Sequence, residues 1–215
     1  FLIQRLKDKL GNHSNASSEI EYNDTWARRI GEEGEGVRTI IEMVHHTRLD
    51  TTLAAAALMR QSLVQAAHHA GHRTAFQRRL IDQPLMRNVL ADLAIESEAA
   101  TTLTMRVARS YDESEISPEA RAFARLAVAV AKYWINKRTP NHIFECMESL
   151  GGAGYVEESP LPRLYREGPL NSIWEGSGNV ICLDVLRTMQ REPAAVEALQ
   201  HELQLAAGAD RRYDA

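Results

Sequence analysis

Leu53-Ala54-Ala55-Ala56-Ala57-Leu58 lies inside a segment, Gly36 to Gly71, whose apolar residues Val37, Ile40, Ile41, Val44, Leu49, Leu53, Leu58 and Leu63 fall at helical spacing. The spacing predicts one long helix, and the small side chains of its middle predict a neighbouring helix packed closely against it. Toward the C-terminus, Leu85, Val89, Leu90, Leu93, Leu103 and Val107 predict a second helix from about Gln83 to Tyr111, ended by the polar run Asp112 to Ser117. Pro118 suits the first turn of a third helix, with Ser117 as its N-cap, continuing toward Leu150 with a kink at Pro140. Gly151-Gly152-Ala153-Gly154 stops it. An irregular stretch with Pro160, Pro162 and Pro169 follows, then a fourth helix from about Asn179 to Gln190 and a more polar one opened by Pro193 that frays by Gly208. Substantial helices with short connections predict a mainly α fold, an antiparallel four-helix bundle.

Toward the N-terminus the pattern changes. Leu6 to Trp26 is rich in Asn, Ser and Gly, and Ser18-Glu19-Ile20-Glu21-Tyr22 alternates as a half-buried strand does. Gly31, Gly34 and Gly36 mark a turn, with Glu32, Glu33 and Glu35 at the positive end of the first helix. Residues 1–33 are therefore expected to be a strand-and-turn remnant, and 34–215 the helical bundle. The first residue is Phe1, and the opening apolar triplet Phe1-Leu2-Ile3 is expected to be the middle of a longer protein.

Of the 215 residues, 44% are hydrophobic and 25% charged, a composition that folds and excludes wholesale disorder. Basic residues number 25 against 29 acidic, a net charge of −4, with both signs mixed along the chain, so binding to nucleic acid is not expected. Without a run of about 18 apolar residues no membrane span is expected, and a cytoplasmic location follows by default. Cys146 and Cys182 both lie in apolar stretches and are expected to be buried thiols.

Three constellations can carry chemistry. In Asn171-Ser172-Ile173-Trp174-Glu175-Gly176-Ser177-Gly178-Asn179 a carboxylate stands between an indole and a glycine in a loop entering a helix. Either it approaches a flat ligand where no Cβ intervenes, or Glu175 is a solvated acid and Ser177 or Asn179 a helix cap. Leu150-Gly151-Gly152-Ala153-Gly154-Tyr155 is either a helix stop or a set of bare amides for a phosphate. Arg73-Thr74-Ala75-Phe76 ends the first helix, where an arginine answers the helix dipole or reaches a pyrophosphate. Glu42 and His45 have the spacing of half a di-iron carboxylate site, but no second Glu-x-x-His exists, so no metal is expected and both read as surface residues.

Taken in chain order, Arg73 to Phe76, Leu150 to Tyr155 and Trp174 to Ser177, with the Gly31 to Gly36 turn at the place of the family's junction between a middle β domain and a helical domain, resemble the acyl-CoA dehydrogenase family, and especially its AidB-like branch, associated with the response to DNA alkylation. The resemblance implies that residues 1–33 are the remnant of that middle β domain. The resemblance runs from Lys7 to Arg187. It implies an FAD-dependent oxidoreductase that desaturates an acyl-CoA thioester, with Glu175 as the catalytic base and Thr47, Arg48, Trp174 and Gly176 around the substrate. Some relatives place their base at the Thr47 position, a role threonine cannot fill. Ser177 and Asn179 match positions that touch the FAD, and Glu148 matches one facing it. Arg73, Phe76, Gly151 and Gly152 match positions that reach the FAD of a neighbouring subunit, which implies a homodimer or homotetramer. Gln77 stands where the family usually has glycine. The alternative the branch implies is a flavoprotein that binds or protects DNA with little dehydrogenase activity.

Overall fold

The computed structural model describes residues 1–214. Strands β1 (Leu2–Leu6) and β2 (Ser18–Glu21) form an antiparallel pair; α1 (Gly36–His72) follows, then a hairpin of β3 (Thr74–Ala75) and β4 (Arg78–Arg79), and the long helices α2 (Pro84–Glu113) and α3 (Pro118–Ser149). Two short helices, α4 (Gly152–Tyr155) and α5 (Leu161–Glu167), and a 3-10 turn at Gly168–Ser172 lead to α6 (Gly178–Arg191) and α7 (Pro193–Gln204). The fold is mainly helical, as the periodicity predicts.

Helix α3 is the axis of the bundle, packed against α1, α2, α6 and α7. Its N-terminus is built as expected: Pro118 occupies the first turn and the Ser117 hydroxyl accepts from the Ala120 N–H at 3.1 Å. The helix runs through Pro140 without ending. Ala55, Ala56 and Met59 of α1 meet Ala100 of α2 and Ile135 of α3, so the alanine run lies where three helices close on one another. One end of the core joins Leu63, Leu93, Ile143, Cys146 and Leu161, and the other joins Val107, Phe123, Val128, Ala131 and Ala198. Cys182, expected to be buried, is exposed on α6, because its position on the helix points away from the bundle.

Three features lay outside the sequence expectation. Leu2–Leu6 pairs with the strand at Ser18–Glu21, with Ile3 opposite Ile20. The loop between them rests on α5: the Asn12 N–H donates to Glu167 Oε1 at 2.8 Å, and a Cβ at Gly11 would stand 2.5 Å from the Arg166 carbonyl oxygen. The proline-rich stretch is helical, since Pro162 and Pro169 sit in first turns, where a missing N–H is harmless.

The third feature is the β3–β4 hairpin, whose two turn residues, Phe76 (φ +52°) and Gln77 (φ +65°), are both left-handed. A two-residue hairpin of this hand asks for Asn-Gly, and each residue with a Cβ there is strained by about 1–2 kcal/mol. Gln77→Gly is expected to raise stability by about 0.5–1 kcal/mol, the relief exceeding the added freedom of the unfolded chain. Urea unfolding checks this; an unchanged or lower midpoint counts against the strain.

Candidate active site

Glu175 stands in the loop between the 3-10 turn and α6. The loop contains two consecutive left-handed residues, Glu175 at φ +57° and Gly176 at φ +103°. Glycine meets that demand freely, whereas glutamate meets it at about 1–2 kcal/mol. The conformation brings the half-buried Glu175 carboxylate to α1, where the Thr47 hydroxyl donates to Oε2 at 2.7 Å, across 128 residues of sequence. The next residue on α1, Arg48, is buried and donates from Nε to the Glu175 carbonyl oxygen at 3.3 Å. Among the described residues the Glu175 N–H makes no hydrogen bond. Trp174, 37% exposed, donates from its indole nitrogen to Asn171 Oδ1 at 3.2 Å. Ser177 opens α6 without using its hydroxyl as a cap, and both Ser177 and Asn179 are exposed.

A charged network supports this loop from below. The Arg48 guanidinium pairs with Asp184 of α6, and Arg125 of α3 pairs with the same carboxylate at 2.9 Å and with Glu192 at 3.3 Å. Burial alone would raise the Asp184 carboxyl, but hydrogen bonds from Arg125 and Arg48, with their charges, hold it below its ordinary value. His45, read as a solvated surface residue, is half-buried; burial and the positive charges of Arg125 and Arg48 lower its pKa.

Lys132 of α3 is 1% exposed and donates from Nζ to the carbonyl oxygens of Asn171 at 3.1 Å and Gly176 at 2.9 Å. Burial, aided by Arg48 and opposed by Glu175, pushes its pKa from 10.5 down to about 8. A basic group depressed on folding binds fewer protons in the native state than in the unfolded one between those two values, so its penalty on stability fades as pH rises through the window. The wild type is expected to gain up to about 3 kcal/mol relative to Lys132→Met between pH 7.5 and 10.5. Paired urea titrations across that range measure the difference; parallel curves would remove the shift.

The remaining expected site residues form a second group at the other end of α1. Arg73 is exposed, and with Leu150 and Ala153 it lines a cleft of about 530 Å³ that also includes His69 and His72. Phe76 projects from the hairpin tip, 92% exposed. Gly151 (φ +59°) donates its N–H to the Glu148 carbonyl oxygen at 2.8 Å, so this glycine ends α3 and its amide is already engaged. A Cβ at Gly151 or Gly152 would meet nothing within 4 Å, and Glu148 is exposed beside them. From Thr47 to Arg73 helix α1 rises about 39 Å, so the two groups do not meet within one chain.

Sequence reasoning missed Lys132, Asn136, Arg125 and Asp184. A signal for Lys132 existed: it follows Val128 by four and precedes Ile135 by three, on the face of α3 that is otherwise apolar. Among the described residues no group of three His, Cys, Asp or Glu side chains is placed to hold a metal ion, and no helix is long and apolar enough to cross a membrane.

Residues 34–190 match the family model described as the C-terminal domain of acyl-CoA dehydrogenase. The chain belongs to the acyl-CoA dehydrogenase family. Within it, 48% identity to AidB of Escherichia coli over 212 residues, 99% of this chain and 39% of AidB, supports the AidB-like branch. Acyl-CoA dehydrogenase family member 11 of Caenorhabditis elegans is 33% identical over 186 residues, 85% of this chain and 30% of that protein. The solved structure of C. elegans ACDH-11 in complex with C11-CoA matches with a TM-score of 0.91 at 30% identity, over 99% of this chain and 36% of that one. The chain thus spans between 30% and 39% of the length of these relatives.

Proposed function

We propose that this chain is the C-terminal, helical part of an FAD-dependent acyl-CoA dehydrogenase-like oxidoreductase with Glu175 as its base. The observation that carries the reading is the Glu175 loop. A half-buried carboxylate is held in a strained conformation, with one oxygen tied to Thr47 and the amide of the same residue uncommitted. Strain of this kind persists where the surroundings over-determine it, as at catalytic centres.

With Oε2 engaged by Thr47, Oε1 is the atom that takes the α-proton of an acyl thioester. The Glu175 N–H donates to the thioester carbonyl, stabilising the charge that develops there. Arg48 fixes the carbonyl of the residue that does the chemistry, and Trp174, its neighbour in the chain, contributes an apolar ring to the substrate pocket. The residues present fit a flavin: the Ser177 hydroxyl and the Asn179 amide are exposed and free of capping duty, and Gly151 and Gly152 leave open space beside the exposed Arg73. Bound FAD supplies a two-electron acceptor for the hydride from the β-carbon.

The length of α1 between Thr47 and Arg73 supports an assembly in which Arg73, Phe76, Glu148, Gly151 and Gly152 serve the flavin of a neighbouring protomer. A homodimer is the smallest such assembly, and a homotetramer contains two. The complex of ACDH-11 with C11-CoA supports an acyl-CoA substrate. The excess of acidic over basic residues argues against nucleic acid as a partner of this chain. The test is bleaching of the flavin by a saturated acyl-CoA in the full-length protein, compared with its Glu175→Gln variant.

A further inference from the structure

The largest side chain sealed inside the molecule is a lysine, and no carboxylate lies within ion-pair distance of it among the described residues. An ammonium without an anionic partner is expensive to bury, and an apolar residue in its place would be cheaper for the fold. Its hydrogen bonds say where the benefit goes. Lys132 Nζ joins the carbonyl oxygens of Asn171 and Gly176, the two ends of the segment that carries Trp174 and Glu175. One turn along α3, Asn136 donates from Nδ2 to the same Asn171 oxygen at 2.8 Å, while the side chain of Asn171 receives the Trp174 indole N–H at 3.2 Å.

We propose that Lys132 is a positioning residue of the site: its buried ammonium staples the two ends of the Asn171–Gly176 loop and so holds the left-handed backbone that presents the Glu175 carboxylate and amide. The inference rests on the reading of Glu175 as the base, and adds to it the device that keeps that base in place. Left-handed glutamate reverts to ordinary backbone angles unless something restrains it, and the Gly176 carbonyl is the next peptide oxygen in line. Arg48 restrains the Glu175 carbonyl from α1, and Lys132 restrains the Gly176 carbonyl from α3. The loop is thus gripped from two helices. Lys132 touches no reacting atom, so its effect passes through the geometry of Glu175.

The test uses the full-length holoprotein and the variants Lys132→Met, which removes charge and donors, and Lys132→Gln, which keeps a neutral donor. In hydrogen exchange, Lys132→Met is expected to speed exchange of the peptide spanning residues 170–178 about tenfold or more, with α1 and α2 unchanged and Lys132→Gln intermediate. In stopped flow with a C11-CoA thioester, flavin reduction is expected to slow about 100-fold in Lys132→Met, with the half-saturating concentration within about threefold of wild type and partial recovery in Lys132→Gln. Unaltered loop exchange, exchange raised equally in every helix, or wild-type reduction by Lys132→Met would each overturn the proposal. Should Lys132→Met not fold, loop exchange in Lys132→Gln decides by the same criterion. Glu175→Gln run in parallel separates the two ideas: its reacting like wild type removes Glu175 as base, and the exchange data still decide the role of Lys132.

Discussion

Glu175→Gln is expected to slow acyl-CoA-driven bleaching of the flavin by about 10²–10⁴-fold, while flavin binding and the visible spectrum of the oxidised protein persist. The substitution is the most conservative that removes the chemistry. The glutamine carbonyl oxygen can still accept from Thr47 Oγ1, and the Arg48 bond is made to the backbone of residue 175, so neither contact depends on the charge. What disappears is the anionic carboxylate, the only form of this side chain basic enough to take the proton. Stopped-flow absorbance with a saturated acyl-CoA reads the rate, and bound flavin per protomer is measured on the same sample. Equal rates in the two proteins would place the base elsewhere.

Asp184→Ala carries the largest expected loss of stability, about 3–5 kcal/mol. The Asp184 carboxylate is the shared partner of Arg48 and Arg125, and it is largely buried with them. Its removal leaves Arg48 as a buried guanidinium with only a carbonyl oxygen of residue 175 and no anion, and Arg125 with Glu192 alone. Urea or thermal unfolding measures the loss, and a change below about 1 kcal/mol would mean that the network is solvated in solution. The pH dependence follows the same network. A carboxyl whose folded pKa is depressed contributes stability above its unfolded value of 3.8, and that contribution is lost as pH falls through the folded value. Wild type and Asp184→Ala should therefore converge in stability at strongly acid pH. Because Arg48 also holds the Glu175 loop, the variant should react more slowly with acyl-CoA than its loss of stability alone accounts for.

The helices were legible because burial repeats along them with the helical period. Val89, Leu93 and Val107 mark the inner face of α2, and Pro118 with Ser117 marks the start of α3, in residues next to one another in the chain. The hairpin at Phe76–Gln77 was not legible, since neither residue favours the left-handed angles that the turn imposes; the glycine usual in the family would have announced it. Cys182 was misjudged because an apolar neighbourhood in sequence says nothing about which side of α6 faces the bundle.

Within the candidate site the division is similar. Glu175 stood out through its neighbours Trp174 and Gly176, and Arg73 through Phe76, each a pattern within a few residues. Helical period and short motifs, both properties of near neighbours, were thus enough for the bundle and for the place of the carboxylate. The bond from Thr47 to Glu175, the sharing of Asp184 by two arginines and the burial of Lys132 beneath the loop came only with folding. Each joins segments far apart in the chain, and the energy of a buried charge depends on which partners the packing brings to it, a quantity no local pattern contains.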